Sequence, residues 1–242
     1  MPADSPTIVA TSGGFTFDHP RLPVAFGPLV DHCVELSGVH RRRPRITYVG
    51  TAIGDQEFFA HRMFEAARVA GFDLTELRLF PTPNLDDMRG AVLDSDVVWV
   101  MGGSVVNLLA VWRAHGLDAI MREAWEAGVV LGGVSAGSIC WHVGGTTDSY
   151  GPDLRPVTDG LGLLPYANGV HYDAEEQRRP LLQRLVADGT LPTAYATDDG
   201  VGLVYRDTEL VDVVAEVPDA AAYRIVRDGE GAVEERIGAR RI

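Results

Sequence analysis

Ser135 lies in Gly132-Gly133-Val134-Ser135-Ala136-Gly137-Ser138, after the apolar run Val129-Val130-Leu131 and before Ile139-Cys140-Trp141. The serine therefore stands where a buried strand ends and a helix begins. A Gly-x-Ser-x-Gly turn bends the chain so tightly that the serine adopts a strained backbone, and the flanking glycines remove Cβ atoms that would collide. The hydroxyl is pushed into the open near a helix N-terminus, whose free N–H groups favour a developing oxyanion. That is the arrangement for nucleophilic attack on a carbonyl. The structural alternative is a Gly-Ser turn that only joins strand to helix.

A second glycine pair, in Met101-Gly102-Gly103-Ser104, closes another apolar run and precedes another helical stretch. Its N–H groups are expected to face the crevice outside the carboxyl ends of the strands. Gly103 N–H and Ala136 N–H are therefore the expected oxyanion donors, although Gly102-Gly103 could be no more than a tight turn.

A serine hydroxyl needs a base, and histidine suits that work near neutral pH. Of the seven histidines, His19, His32, His40 and His61 precede the nucleophile in polar or helical contexts, and His115 lies near a helix end. His142 is expected on the helix behind the serine, with its ring pointing away from the hydroxyl. His171 differs, because Asn168-Gly169-Val170-His171-Tyr172-Asp173 follows an apolar segment as a loop able to deliver a side chain to the crevice. It is the expected base.

The elements that must position these groups read as strands alternating with helices, the pattern of a mostly parallel sheet covered on both faces. Strands are expected at Thr7–Ala10, Ile46–Val49, Leu74–Leu79, Val97–Met101 and Val129–Gly133. Helical spacing occurs over Gln56–Ala70 and over Val105–Ala127, the second broken near Gly116. A polar helix is expected over Ala174–Ala187. Beyond it, Val201–Tyr205 with Leu210–Val214 and Ala221–Val226 with Ala232–Ile237 flank charged turns and read as antiparallel hairpins. The expected fold is α/β, a doubly wound sheet with C-terminal hairpins, in a single domain over residues 1–242.

Composition narrows the partners. At 46% hydrophobic and 23% charged, the 242 residues have the profile of a globular protein. The net charge of −13 argues against nucleic acid, which needs a basic footprint, and obliges any acidic substrate to find a local cation. No secretory leader or membrane-length apolar run is evident, so a cytoplasmic protein is expected. Cys33 and Cys140 have no zinc-type spacing and read as core thiols. Without a phosphate-binding loop or dinucleotide fingerprint, no cofactor or metal is expected. Oligomeric state is left open between monomer and homodimer.

The Ser135 turn, the Gly102-Gly103-Ser104 turn, Gly160-Leu161-Gly162-Leu163-Leu164-Pro165 and His171-Tyr172-Asp173 together resemble the peptidase E (aspartyl dipeptidase) family of serine peptidases, which has cyanophycinase-like relatives. The resemblance runs over roughly residues 95 to 205. It implies a flavodoxin-like fold similar to that of class I glutamine amidotransferases, with Ser135 as nucleophile and His171 as base. The family's acid, a glutamate before a late strand, falls at Asp199; Asp148 matches a second acidic position and is the alternative acid. Asp is one methylene shorter than Glu, so its loop must come closer. The implied activity is hydrolysis of dipeptides with N-terminal aspartate. Ser104, Asp148 and Arg178, or Arg179 in place of Arg178, are the implied substrate-binding residues, while one expected basic position near them carries Glu. A same-fold serine hydrolase acting on another peptide or acyl substrate, and a non-catalytic binding protein, are the other readings.

Overall fold

The computed structural model describes residues 3–242. The five expected strands form one parallel array, in the spatial order Thr7–Thr11, Val130–Val134, Val97–Val100, Arg45–Val49, Asp73–Leu77. The last ends two residues before the expected Leu79. Val201–Arg206 pairs antiparallel with Thr7–Thr11, and Glu209–Ala215 and Arg240–Arg241 complete eight strands on that edge.

Both faces are apolar because alternate side chains of a strand point to opposite sides. Val9, Val97, Trp99 and Val130 pack under helices Pro28–Leu36 and Glu57–Ala70, against Leu29 and Met63. Ile8, Val98 and Leu131 face the other way, toward Val105–His115 and Leu117–Glu126. Gly116, at φ 70° in the left-handed region, ends one of those helices and starts the next, as its position in the sequence suggests. Burying each Val or Leu contributes roughly 1.5–3 kcal/mol, so the two faces hold the sheet more firmly than any one ladder bond.

The structure departs from the sequence reading after Ser135. The helix behind the nucleophile is only Ala136–Ile139, and His142, expected on it, begins the strand His142–Thr147. This strand opens a second, six-stranded sheet in the order Gly231–Gly238, Ala221–Asp228, Ala194–Thr197, Leu164–Gly169, His142–Thr147, Arg155–Val157. Its three central strands are parallel. The two C-terminal hairpins therefore part company, the first joining the eight-stranded sheet and the second this one. Hydrophobic runs do not mark the strand His142–Thr147 because close backbone packing requires glycine in it. A Cβ on Gly144 would lie 2.1 Å from the Val157 carbonyl oxygen, and one on Gly145 2.2 Å from that of Asn168. Leu164, Tyr195 and Ala222 of this sheet share a core with Ile8, Val98 and Leu131 of the first, and Trp112 meets Trp141 there at 5.9 Å between ring centroids. The last helix is Arg178–Ala187, four residues shorter at its start than expected.

Cys33 and Cys140 are both fully buried and unpaired, and burial pushes both thiols up. No helix among the described residues is long and apolar enough to cross a membrane.

His142 is also fully buried, with Nδ1 2.9 Å from the Ser138 carbonyl oxygen and Nε2 without a partner. Desolvation lowers its pKa from 6.5 to about 4, partly opposed by the bond to Ser138. The unfolded chain therefore binds a proton that the folded chain refuses between those values. Stability should fall as pH drops from 6.5 to about 4, by up to about 3 kcal/mol from this group. Thermal unfolding across that interval should show a shallower loss for His142→Gln than for wild type; equal slopes would remove His142 from the account.

Candidate active site

Ser135 has φ 56° and ψ −110°, a conformation that costs a non-glycine residue roughly 1–3 kcal/mol. Three contacts enforce it. Its N–H donates to the Thr11 carbonyl oxygen at 3.0 Å, and a Cβ on Gly133 or Gly137 would come within 2.4 Å of the Gly137 carbonyl oxygen or 2.3 Å of the Val100 one. The elbow is thus clamped between the ends of three neighbouring parallel strands.

The second glycine turn meets the first directly. A Cβ on Gly102 would lie 3.2 Å from Ser135 Cβ. Gly103, at φ 133°, passes so close to Ala52 that a side chain would reach within 2.4 Å of the Ala52 carbonyl oxygen. Among the described residues, the N–H groups of Gly103 and Ala136 donate to no carbonyl, so both remain available at the turn. Ser104 caps the helix Val105–His115, its hydroxyl accepting from Asn107 N–H at 3.2 Å.

His171, Asp199 and Asp148 come from the second sheet, at the carboxyl ends of three adjacent parallel strands. His171 follows Leu164–Gly169, the middle one; Asp199 follows Ala194–Thr197 on one side and Asp148 follows His142–Thr147 on the other. His171 sits at φ 53°, and its N–H donates to Ser12 Oγ at 3.1 Å. Its Nδ1 lies 2.5 Å from Asp199 Oδ1. Asp199 is held in turn by its own N–H, which donates to Asp173 Oδ1 at 2.8 Å. Asp148 makes no hydrogen bond to the imidazole among the described residues. A carboxylate on Nδ1 keeps the ring's proton there and leaves Nε2 as an acceptor, the tautomer a serine proton requires.

Ser135, His171, Gly103, Asp148 and Arg178 line one cleft of about 390 Å³, with Ser104, Ser149 and Glu175 at its walls. Ser135 Oγ makes no hydrogen bond to His171 here, a link that in unliganded sites often forms only around substrate.

Sequence reasoning treated Arg178 and Arg179 as interchangeable cations, and their surroundings separate them. Arg178 is buried and reaches the cleft; its Nε and Nη2 donate to the two oxygens of Glu175 at 2.8 and 2.9 Å, and its Nη1 donates to the Thr146 carbonyl oxygen at 2.8 Å. The fork that would grip a substrate carboxylate is already occupied by Glu175. Arg179 points elsewhere, over the rings of Tyr172 and Tyr223 at 4.8 and 4.5 Å and 3.5 Å from Glu234. Sequence reasoning also passed over Ser12 and Asp173, which orient His171 and Asp199. Ser12 belongs to no motif and Asp173 carried no role of its own in the His171-Tyr172-Asp173 run, and both act through single contacts made by distant segments.

The peptidase family S51 model matches residues 8–213 of the chain. An uncharacterized peptidase, YgaJ, of Bacillus subtilis is 36% identical over 219 residues, covering 90% of this chain and 91% of that protein. Peptidase E of Shewanella denitrificans is 26% identical over 73% of this chain and 77% of its own length. Among solved structures, a peptidase from an acI-B1 actinobacterium superposes with a TM-score of 0.70 at 19% identity, over 97% of this chain and 95% of the other. A putative peptidase E protein from Listeria monocytogenes gives 0.59 at 17% identity, over 97% and 100%. These last two speak to the fold, whereas the family match and the Bacillus relative speak to the chemistry, and together they make this chain a serine-type peptidase belonging to family S51, the peptidase E family.

Proposed function

We propose that the protein hydrolyses short peptides through Ser135 as nucleophile, His171 as base and Asp199 as the carboxylate that orients it. The observation that carries this reading is the 2.5 Å contact between His171 Nδ1 and Asp199 Oδ1 beside the strained Ser135 turn. His171 Nε2 takes the proton as Ser135 Oγ bonds to the scissile carbonyl carbon. The carbonyl oxygen becomes an oxyanion between the N–H groups of Gly103 and Ala136. Collapse breaks the C–N bond, and the imidazolium gives its proton to the departing amine. A water molecule then repeats the sequence on the acyl-enzyme and restores Ser135.

The preferred substrate in this reading is a dipeptide with N-terminal aspartate, its side chain received by the N–H groups of Arg178 that Glu175 and Thr146 leave free. The pairing of Arg178 with Glu175 favours a second reading, hydrolysis of peptides without an acidic first residue. Hydrolysis of Asp-X, Glu-X, Asn-X and Ala-X dipeptides by wild type and Glu175→Gln distinguishes the two. Under the first, Asp-X is cleaved fastest and Glu175→Gln raises its kcat/KM several-fold by freeing the guanidinium, a change of about 1 kcal/mol. Ala-X cleaved as well as Asp-X, with no gain in the variant, would select the second. Failure to cleave any member while Ser135 still reacts with a phosphonylating reagent would move the search to other acyl substrates.

A further inference from the structure

A groove of about 600 Å³ adjoins the catalytic cleft, and His171 lines both. Gly103, Ser135 and Arg178 lie on the cleft side; Asp199 lies on the groove side. Five carboxylates line the groove, those of Asp173, Asp198, Asp199, Glu216 and Asp219, and no arginine does. Phe17, 75% exposed, and Val217 and Pro218 add an apolar wall.

Three of the carboxylates have work within the fold. Asp199 holds His171, Asp173 accepts from Asp199 N–H, and Glu216 accepts from Gly14 N–H at 2.8 Å. Asp198 is only half used. Its Oδ2 accepts from Ala221 N–H at 3.0 Å and Tyr223 OH at 3.3 Å, whereas Oδ1 is buried without a partner in a residue only 6% exposed. Burial raises the carboxyl pKa of both Asp198 and Glu216, against weaker opposing pulls from Arg179 and Arg241 respectively. The nearby arginines are engaged elsewhere, Arg179 with Glu234 and two tyrosine rings and Arg236 with the Asp219 carbonyl oxygen.

Acyl transfer gives the groove its direction. The imidazolium must protonate the departing nitrogen while the acyl part stays with the oxyanion turns, and the groove, which reaches Val134 and His171 but neither Gly103 nor Arg178, is the recess left for the departing residue. We propose that the groove is the subsite for the departing residue and selects a cationic side chain, arginine or lysine, with its charge at Asp198 and Asp219 and its methylene stem on Phe17 and Val217. Such a stem favours an apolar wall beneath it while the charged head meets the carboxylates. The assignment rests on the Ser135–His171 reading for its direction, and it makes the site bipolar, with Arg178 on the acyl side and carboxylates on the departing side.

The test is a series with one acyl residue and varied departing residues: Asp-Lys, Asp-Arg, Asp-Ala and Asp-Glu, with the Ala-X counterparts. The expected kcat/KM for Lys or Arg exceeds that for Ala by about tenfold, and Glu falls below both. Asp219→Asn and Asp198→Asn each lower the Lys-to-Ala ratio several-fold, and added salt lowers it further. Asp219→Asn guards against a folding defect at the buried Asp198. Equal rates for Lys, Ala and Glu overturn the proposal, as does a ratio untouched by both variants. Calorimetric binding of Ala-Lys and Ala-Glu to Ser135→Ala protein reads the groove independently of turnover. Tighter binding of Ala-Lys without any cleavage by wild type would sink the catalytic reading and leave the groove's preference standing; equal affinities would sink the groove.

Discussion

Ser135→Ala is expected to lower peptide turnover by roughly 10⁴ to 10⁶-fold, down to what binding and the oxyanion donors supply alone. The loss is this large because no other hydroxyl can take over. Ser138 lies in the short helix behind the turn, fully buried, with its hydroxyl donating to Asn168 Oδ1 at 2.8 Å. Ser104 is occupied as a helix cap. The fold should survive, since alanine suffers the same strain at φ 56° as serine does. Ser135→Gly should also be inactive yet more stable, by about 1 kcal/mol, because glycine occupies that region without penalty. Steady-state hydrolysis beside thermal unfolding checks both halves. An active Ser135→Ala protein would overturn the nucleophile, and a glycine variant no more stable than alanine would show that the turn holds no strain.

Asp199→Asn should lower turnover by about 10² to 10⁴-fold, whereas Asp148→Asn should cost less than about tenfold. The asymmetry follows from position. Asp199 touches Nδ1, and an amide in its place can donate to that nitrogen, which moves the ring proton to Nε2 and leaves nothing to accept the serine proton. Asp199 is itself half exposed, so water can partly restore the correct tautomer, which sets the lower bound. Asp148 lines the cleft without touching the ring, so its removal alters the substrate's surroundings and should appear in KM more than in kcat. The reverse order of effects would make Asp148 the orienting acid and Asp199 a neighbour.

Which parts of the site were legible depended on how local their causes are. The Ser135 turn announces itself because its strain, its glycines and its flanking strand and helix all lie within about ten residues. The five parallel strands were equally plain, since burial on both faces requires continuous apolar runs such as Val97-Val98-Trp99-Val100. The strand that opens the second sheet was hidden for the opposite reason. His142-Val143-Gly144-Gly145-Thr146-Thr147 shows little hydrophobic signal, because packing there is between backbones that leave no room for a Cβ.

Distance along the chain separates the remaining cases. Residue types and spacing by themselves pointed to the doubly wound architecture, the strained serine, the glycine turns beside it and His171, and the resemblance to the peptidase E family added Asp199 and Asp148 to the short list. Only the tertiary structure put Asp199 rather than Asp148 against the imidazole, because the strand carrying His171 lies between theirs and the ring turns its Nδ1 to one side. It likewise decided that Glu175 occupies the fork of Arg178, that Arg179 faces away, and that carboxylates from residues 173, 198 and 219 meet in one groove. Each of these depends on where a side chain points after distant strands have paired, and a linear pattern carries no record of that direction.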